Sequence, residues 1–194
     1  MVNRGLTINL FEFQENAVIN LINATTKEKA KDTILMKAPT GSGKTIILID
    51  FVDKYLTTVS SKTAFVWLCP GKGDLEEQSR NKMNKLCPGR KTQNLFDGFE
   101  PETTTFINWE LVTKKGNTSI RESERKNLFD RIAEAHRQGI DFVVIIDEEH
   151  SNNTSKAKVI IDAFAPRKII RVSATVNENK RFEFFEIDEL DVIQ

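Results

Sequence analysis

The stretch "FVVIIDEEHSNN", residues 142–153, decides the fold. Five consecutive apolar side chains, Phe142, Val143, Val144, Ile145 and Ile146, run without alternation, the mark of a strand covered on both faces. Such strands belong to parallel sheets flanked by helices. The run ends in Asp147, Glu148, Glu149 and His150. Carboxylates there are either a solvated edge or one side of a site, since open α/β sheets bind ligands outside the carboxyl ends of their strands. The cluster alone leaves that choice open.

Reading outward, helix and strand patterns alternate. Residues 9–24 place Phe13, Ala17, Val18, Leu21 and Ile22 at helical spacing. A short apolar strand, "DTILMKA" (32–38), precedes a Gly-rich turn and the helix "TIILIDFVDKYL" (45–56). The strand "TAFVWLC" (63–69) follows, and Asp74 with Glu77 forms a capping-box signature for a helix to about Leu86. "TTTFIN" (103–108) reads as a strand, and residues 121–138 as a charged helix stopped by Gly139. After the strand "DFVVIID" (141–147) come a helix over about 155–164 and the strand "RKIIRVSAT" (167–175). Residues 86–102 and "KKGNTS" (114–119) read as loops by their Gly, Pro and polar content. The alternation predicts βαβ units, hence a three-layer α/β domain with a mainly parallel central sheet. No repeat and no second domain is visible, so residues 1–194 read as one domain.

Composition bounds the function. The 194 residues carry 28 basic and 28 acidic side chains, so no global field advertises a nucleic-acid or membrane surface, although local patches and backbone amides can still hold phosphates. Cys69 and Cys87 are too few for a disulfide framework and suggest a reducing compartment. No apolar run approaches the ~20 residues of a membrane span, and the N-terminus lacks a charged-then-apolar leader. A cytoplasmic protein is expected.

The sharpest motif is "APTGSGKT", Ala38 to Thr45, between a strand and a helix. It fits a phosphate-binding loop with Ala38 in place of the usual first glycine. Thr40, Gly41, Ser42 and Gly43 curl the backbone so that N–H groups and the following helix N-terminus face an anion. Lys44 reaches the β/γ-phosphates of ATP as a point charge, and the Thr45 hydroxyl ligates Mg²⁺. This site gives the acidic cluster a purpose. Asp147 suits the carboxylate that holds the metal, and Glu148 the group that positions and deprotonates water. His150 has only His136 as a histidine partner and neither cysteine at metal spacing, so zinc is disfavoured.

"APTGSGKT", "DEEH" and "SAT" (173–175), in that order and each after a strand, resemble motifs I, II and III of superfamily-two DEAD/DEAH-type helicases. The resemblance spans nearly the whole chain and implies a RecA-like P-loop NTPase lobe, the first of two. It implies that Ser173 and Thr175 pair with the "DEEH" end, His150 included, to couple the nucleotide state to the grip on nucleic acid. It also implies that Gln14, in "FEFQENAV", reads the adenine edge; the alternative is an exposed helix residue. Phe11 and Phe13 are read as core. "TFINWELVTK" (105–114), "DFVVIIDEEH" (141–150) and "FFEIDELDVIQ" (184–194) look most like the motor subunit of type III restriction enzymes. "CPGKGDLEEQ" (69–78) sits where motif Ia belongs and offers Pro70 and Lys72 to a nucleic-acid phosphate, although Gly71 and Gly73 depart from the family's usual residues. Asn108 and Trp109 fall at motif Ib, where Trp109 either stacks on a base or packs in the core.

What the resemblance implies for the whole is a DNA helicase or translocase driven by ATP hydrolysis. Its implied partners are nucleic acid, a second RecA-like lobe carrying an arginine finger, and a methyltransferase/specificity subunit. The chain then reads as the N-terminal lobe of a longer protein. Two rivals stay open at this level: an enzyme that remodels RNA, and a nucleotide-dependent scaffold with vestigial hydrolysis.

Overall fold

In the computed structural model the described residues are 5–27, 31–71, 74–95, 97–108, 122–147, 155–176 and 178–193, with backbone alone at 122–125 and 155–157. In chain order the elements are α1 (Glu12–Thr26), β1 (Thr33–Lys37), α2 (Lys44–Thr58), β2 (Thr63–Cys69) and α3 (Leu75–Leu86). Then come β3 (Lys91–Asn94), β4 (Thr103–Asn108), α4 (Glu122–Arg137), β5 (Asp141–Asp147), α5 (Ser155–Phe164), β6 (Lys168–Ser173), β7 (Glu183–Glu186) and α6 (Glu189–Ile193). The strands form one seven-stranded sheet, order β3-β4-β2-β5-β6-β1-β7, in which every neighbouring pair is parallel.

Period-two alternation divides the interior into two cores. From β5, Val143 and Ile145 face one cluster with Ile34 and Met36 of β1 and the buried sides of α1, α2 and α3. Phe142, Val144 and Ile146 face the other, with Leu128 and Ile132 of α4 and Ile160 and Phe164 of α5. Three layers result, and the unbroken apolar run is explained: each alternate residue has its own core. α2 is buried almost all round, at Ile47 through Asp53 and at Tyr55 and Leu56, as a helix wedged between sheet and neighbouring helices must be. Phe51, Tyr55 and Phe65 lock it to β2 edge-on, with ring centroids 5.4 Å apart for Tyr55–Phe65 and 5.9 Å for Phe51–Phe65. Among the described residues no helix is long and apolar enough to cross a membrane.

Two sequence expectations fail locally. Residues 86–102 are not wholly loop, because Lys91–Asn94 pairs with β4 as an edge strand. Asp74 makes no side-chain cap bond; its φ −91°, ψ 34° departs from the extended backbone that lets an N-cap oxygen reach the helix amides. The strand β7 and the helix α6 were not expected at all.

The turn after α3 is fastened by charge. Arg90 Nε donates to Asp53 Oδ1 at 2.7 Å, and Nη2 donates to Asp53 O at 3.0 Å and Thr57 Oγ1 at 2.6 Å. The two side chains are only 3% and 9% exposed. Arg90→Ala strands a buried carboxylate and is expected to cost about 3–5 kcal/mol in urea unfolding followed by circular dichroism. Replacing both partners, Arg90→Met with Asp53→Leu, is expected to recover most of that loss. A double variant as unstable as the single one would show that the stranded charge is not the cause.

Candidate functional site

Because all strands run the same way, the motif-bearing ends meet at one edge of the sheet. In register across it, Cys69 of β2 lies beside Asn108 of β4, Asp147 of β5 beside Val172 of β6, and Lys37 of β1 between Ser173 of β6 and Glu186 of β7. The phosphate-loop strand β1 and the Asp147 strand β5 are separated by β6 alone, a distance of about 10 Å at ordinary strand spacing.

The loop from Ala38 to Gly43 has the shape its sequence predicts. Gly41 and Gly43 adopt φ 85° and 79°, the left-handed region that side chains avoid. The turn closes through the Ser42 N–H to Pro39 O at 3.2 Å, and α2 takes up its own ladder at the Ile47 N–H to Gly43 O, 3.0 Å. The amides of the opening turn of α2 have no acceptor within their helix, which is what makes a helix N-terminus an anion site. Ser42 is fully buried, and its hydroxyl has no hydrogen-bond partner among the described residues. Thr40 and Gly41 are exposed at the mouth, and Lys44 and Thr45 are partly buried at the start of α2.

Gln14 is not a surface residue; it is 6% exposed. Its Oε1 accepts the Phe11 N–H and its Nε2 donates to Ser42 O, both at 3.0 Å. These opposite demands fix which way the amide faces, and they tie the start of α1 to the phosphate loop. A Cβ at Gly43 would fall 2.5 Å from Gln14 Nε2, so the two residues hold each other's place. Phe13 packs partly buried against the core, as expected. Phe11 does not: it is 70% exposed, stacked on Phe13 with centroids 6.0 Å apart, because the cap turn points its ring outward.

Ser173 is fully buried, and its carbonyl accepts the Ala38 N–H at 3.1 Å, so β6 is stitched to the first residue of the loop. Its hydroxyl accepts the Thr175 N–H at 3.3 Å. Asp147 is 9% exposed, and its charge, after burial itself, pushes the pKa of the neighbouring Cys69 thiol upward. Pro70 and Asn108 lie partly buried at the ends of β2 and β4. Lys72, Trp109, Glu148 and His150 lie outside the described residues.

Beside the loop opens a cleft of about 550 Å³ lined by Phe11, Gln14 and Asn20 of the α1 region, Gly41, and Ile187 and Val192 near the C-terminus. Sequence reasoning found Gln14 but missed the C-terminal lining. The one signal available was the apolar Phe184, Phe185 and Ile187 set among charges.

A family model described as "Type III restriction enzyme, res subunit" matches residues 7–178. No curated protein matches the chain in sequence. Among solved structures it is similar to the Sulfolobus solfataricus SWI2/SNF2 ATPase core in complex with dsDNA, with TM-score 0.62, 12% identity, and coverage of 99% of this chain and 36% of that one. It is similar also to the UvsW helicase from Bacteriophage T4, with TM-score 0.57, 16% identity, and coverage of 92% and 60%. At these identities the likeness is one of fold, and the chain spans less than two thirds of either.

Gly43→Ala forces a side chain into left-handed backbone, about 1–2 kcal/mol, and evicts the Gln14 amide from Ser42 O, about 1 kcal/mol more. Gln14→Ala loses the Ser42 O bond too, and with it the acceptor of the Phe11 N–H. Denaturant unfolding of both single variants and the double is expected to give a double-variant loss smaller than the sum. Strictly additive losses would show that the two groups do not meet.

Proposed function

The chain belongs to the family of type III restriction enzyme res subunits, and on that premise we propose that it is the ATP-binding lobe of a DNA helicase or translocase. The observation that carries this reading is the seam between β1 and β6. The Ala38 N–H on Ser173 O joins the phosphate loop directly to the "SAT" segment, with Asp147 one strand further along. A nucleotide loop fused to a second motif at a sheet edge is what a motor needs if phosphate occupancy is to be felt elsewhere.

In this reading the loop amides and Lys44 hold the β- and γ-phosphates, and Gln14 faces the base. The amide's fixed orientation leaves Oε1 one further lone pair and Nε2 one further proton, a complement to the N6 amine and N7 of adenine. The hard oxygens of Thr45 and Asp147 suit magnesium, which when bound neutralises charge on the phosphates. Glu148 takes the proton from attacking water. Ser173 and Thr175, with His150, pass the nucleotide state on, while Pro70, Lys72, Asn108 and Trp109 face the nucleic acid. DNA is favoured over RNA by the res-subunit family. The arginine finger then comes from a second RecA-like lobe of the full-length protein, and a methyltransferase/specificity subunit is its expected partner.

Glu148→Gln in the full-length protein is expected to leave ATP binding intact and to lower turnover by at least ~10²-fold, the scale of a lost general base. Steady-state hydrolysis that does not change would remove Glu148 from this role and turn attention to Glu149. The lobe alone is expected to bind ATP·Mg²⁺ weakly and to hydrolyse it slowly, because a missing arginine finger is worth about 10³–10⁵ in rate. Comparing the ATPase rates of residues 1–194 and of the two-lobed protein, each with duplex DNA and with single-stranded RNA, checks this. Fast, DNA-stimulated hydrolysis by residues 1–194 would overturn the single-lobe assignment.

A further inference from the structure

The cleft beside Gln14 has two walls, and only one of them carries a motif. The motif-bearing wall is the α1 entry, with the Phe11 ring exposed over it and Gly41 at its mouth. The opposite wall is the segment from β7 into α6, which contributes Phe185, Ile187, Asp191 and Val192. That segment is seated firmly on the strand that bears the phosphate loop. β7 pairs with β1 from Ile34 to Lys37, the Ile187 N–H donates to Lys37 O at 2.9 Å, and Lys37 Nζ meets Glu186 Oε1 at 2.8 Å. α6 is then turned back by Asp188, whose Oδ1 accepts the Leu190 N–H at 2.9 Å and whose carbonyl accepts the Asp191 N–H at 3.1 Å. Leu190 and Ile193 are left outside, while Val192 packs partly buried against the core.

Charge is sorted along this cleft. Among the described residues its lining carries the carboxylates of Glu12, Glu186 and Asp191 and no lysine or arginine. The Lys37 ammonium, on the strand beside β7, is paired with Glu186, which raises its pKa. Phosphate is repelled from such a lining and attracted to the N–H groups of the adjoining loop, so a nucleotide can lie only one way round. The apolar surfaces of Phe11 on one side and Ile187 and Val192 on the other suit the two faces of a planar base.

We infer that the β7–α6 segment is the second wall of the nucleoside slot, with Ile187 and Val192 closing on the base face opposite Phe11. This rests on the reading that places an adenine nucleotide at Gln14 and the phosphate loop. It makes Val192 a specificity-determining position for the nucleoside and leaves the phosphates to Lys44.

Titrating residues 1–194 with adenosine and, separately, with inorganic tripolyphosphate and magnesium, followed by amide NMR, tests the assignment. Adenosine is expected to shift Gln14 and Gly43 together with Phe185, Ile187 and Val192, whereas tripolyphosphate shifts the loop from Gly41 to Thr45 and leaves Val192 unmoved. Val192→Trp, which fills the slot, is expected to weaken adenosine at least tenfold with tripolyphosphate affinity unchanged; Lys44→Ala is expected to do the reverse. The wild-type titration needs no variant to fold. If adenosine moves Gln14 and Gly43 but not Ile187 and Val192, the second wall is refuted while the base reading stands. If adenosine moves neither set although tripolyphosphate binds, the base reading falls and the inference with it.

Discussion

Strand β1 is hydrogen-bonded on both flanks, to β6 and to β7, and its carboxyl end carries the phosphate loop. Much else follows from that position. Parallel neighbours deliver their own carboxyl ends to the same edge, so Ser173 and Glu186 arrive on either side of Lys37 without any special device. Parallel pairing also demands crossovers, and those that are helices cover both faces of the sheet. One of them, α2, starts where the loop ends and therefore points the amides of its opening turn back at it. Burial on both sides is in turn what keeps the strand ends stiff enough to hold side chains at fixed separations.

How much of this is legible in the sequence depends on how local each cause is. The β5 run and the phosphate loop declare themselves because an unbroken apolar stretch and a Gly-Ser-Gly-Lys turn act through neighbouring residues. Lys91–Asn94 carries little strand propensity, and the two phenylalanines of Glu183–Glu186 stand between charges in a run too short to declare itself; both segments pair where β4 and β1 offer an edge. The Asp74 signature had the right letters and the wrong backbone. Gln14 is the clearest case. Its helix is periodic and readable, but its burial depends on a carbonyl 28 residues away, which no window along the chain contains. Phe11 and Phe13 look alike as letters, and the cap turn alone puts one in the core and the other in the cleft.

A zero net charge hides a strong local sorting. Carboxylates gather in the cleft beside Gln14 and at the β5 end, while the loop between them presents N–H dipoles and Lys44. Cys69 completes the pattern by staying neutral. Burial first and the Asp147 charge second push its thiol up, so it remains protonated beside the carboxylate assigned to magnesium. A thiolate there would draw softer metals into the site. Cys87, pushed up to about 11 by burial, is likewise held as a small apolar group.

β7 is a four-residue strand with a single neighbour, whereas β1 is held on two sides. Short edge strands open at a smaller free-energy cost than strands in the body of a sheet, so the two strands beneath the nucleotide keep different time. The root of the phosphate loop is therefore expected to open less often than the C-terminal wall. Amide exchange at Phe184 and Phe185 running ahead of that at Leu35 and Met36 would record the difference. On the proposed reading, a nucleotide leaving this lobe would let go by the base first and by the phosphates last, and one arriving would dock in the opposite order.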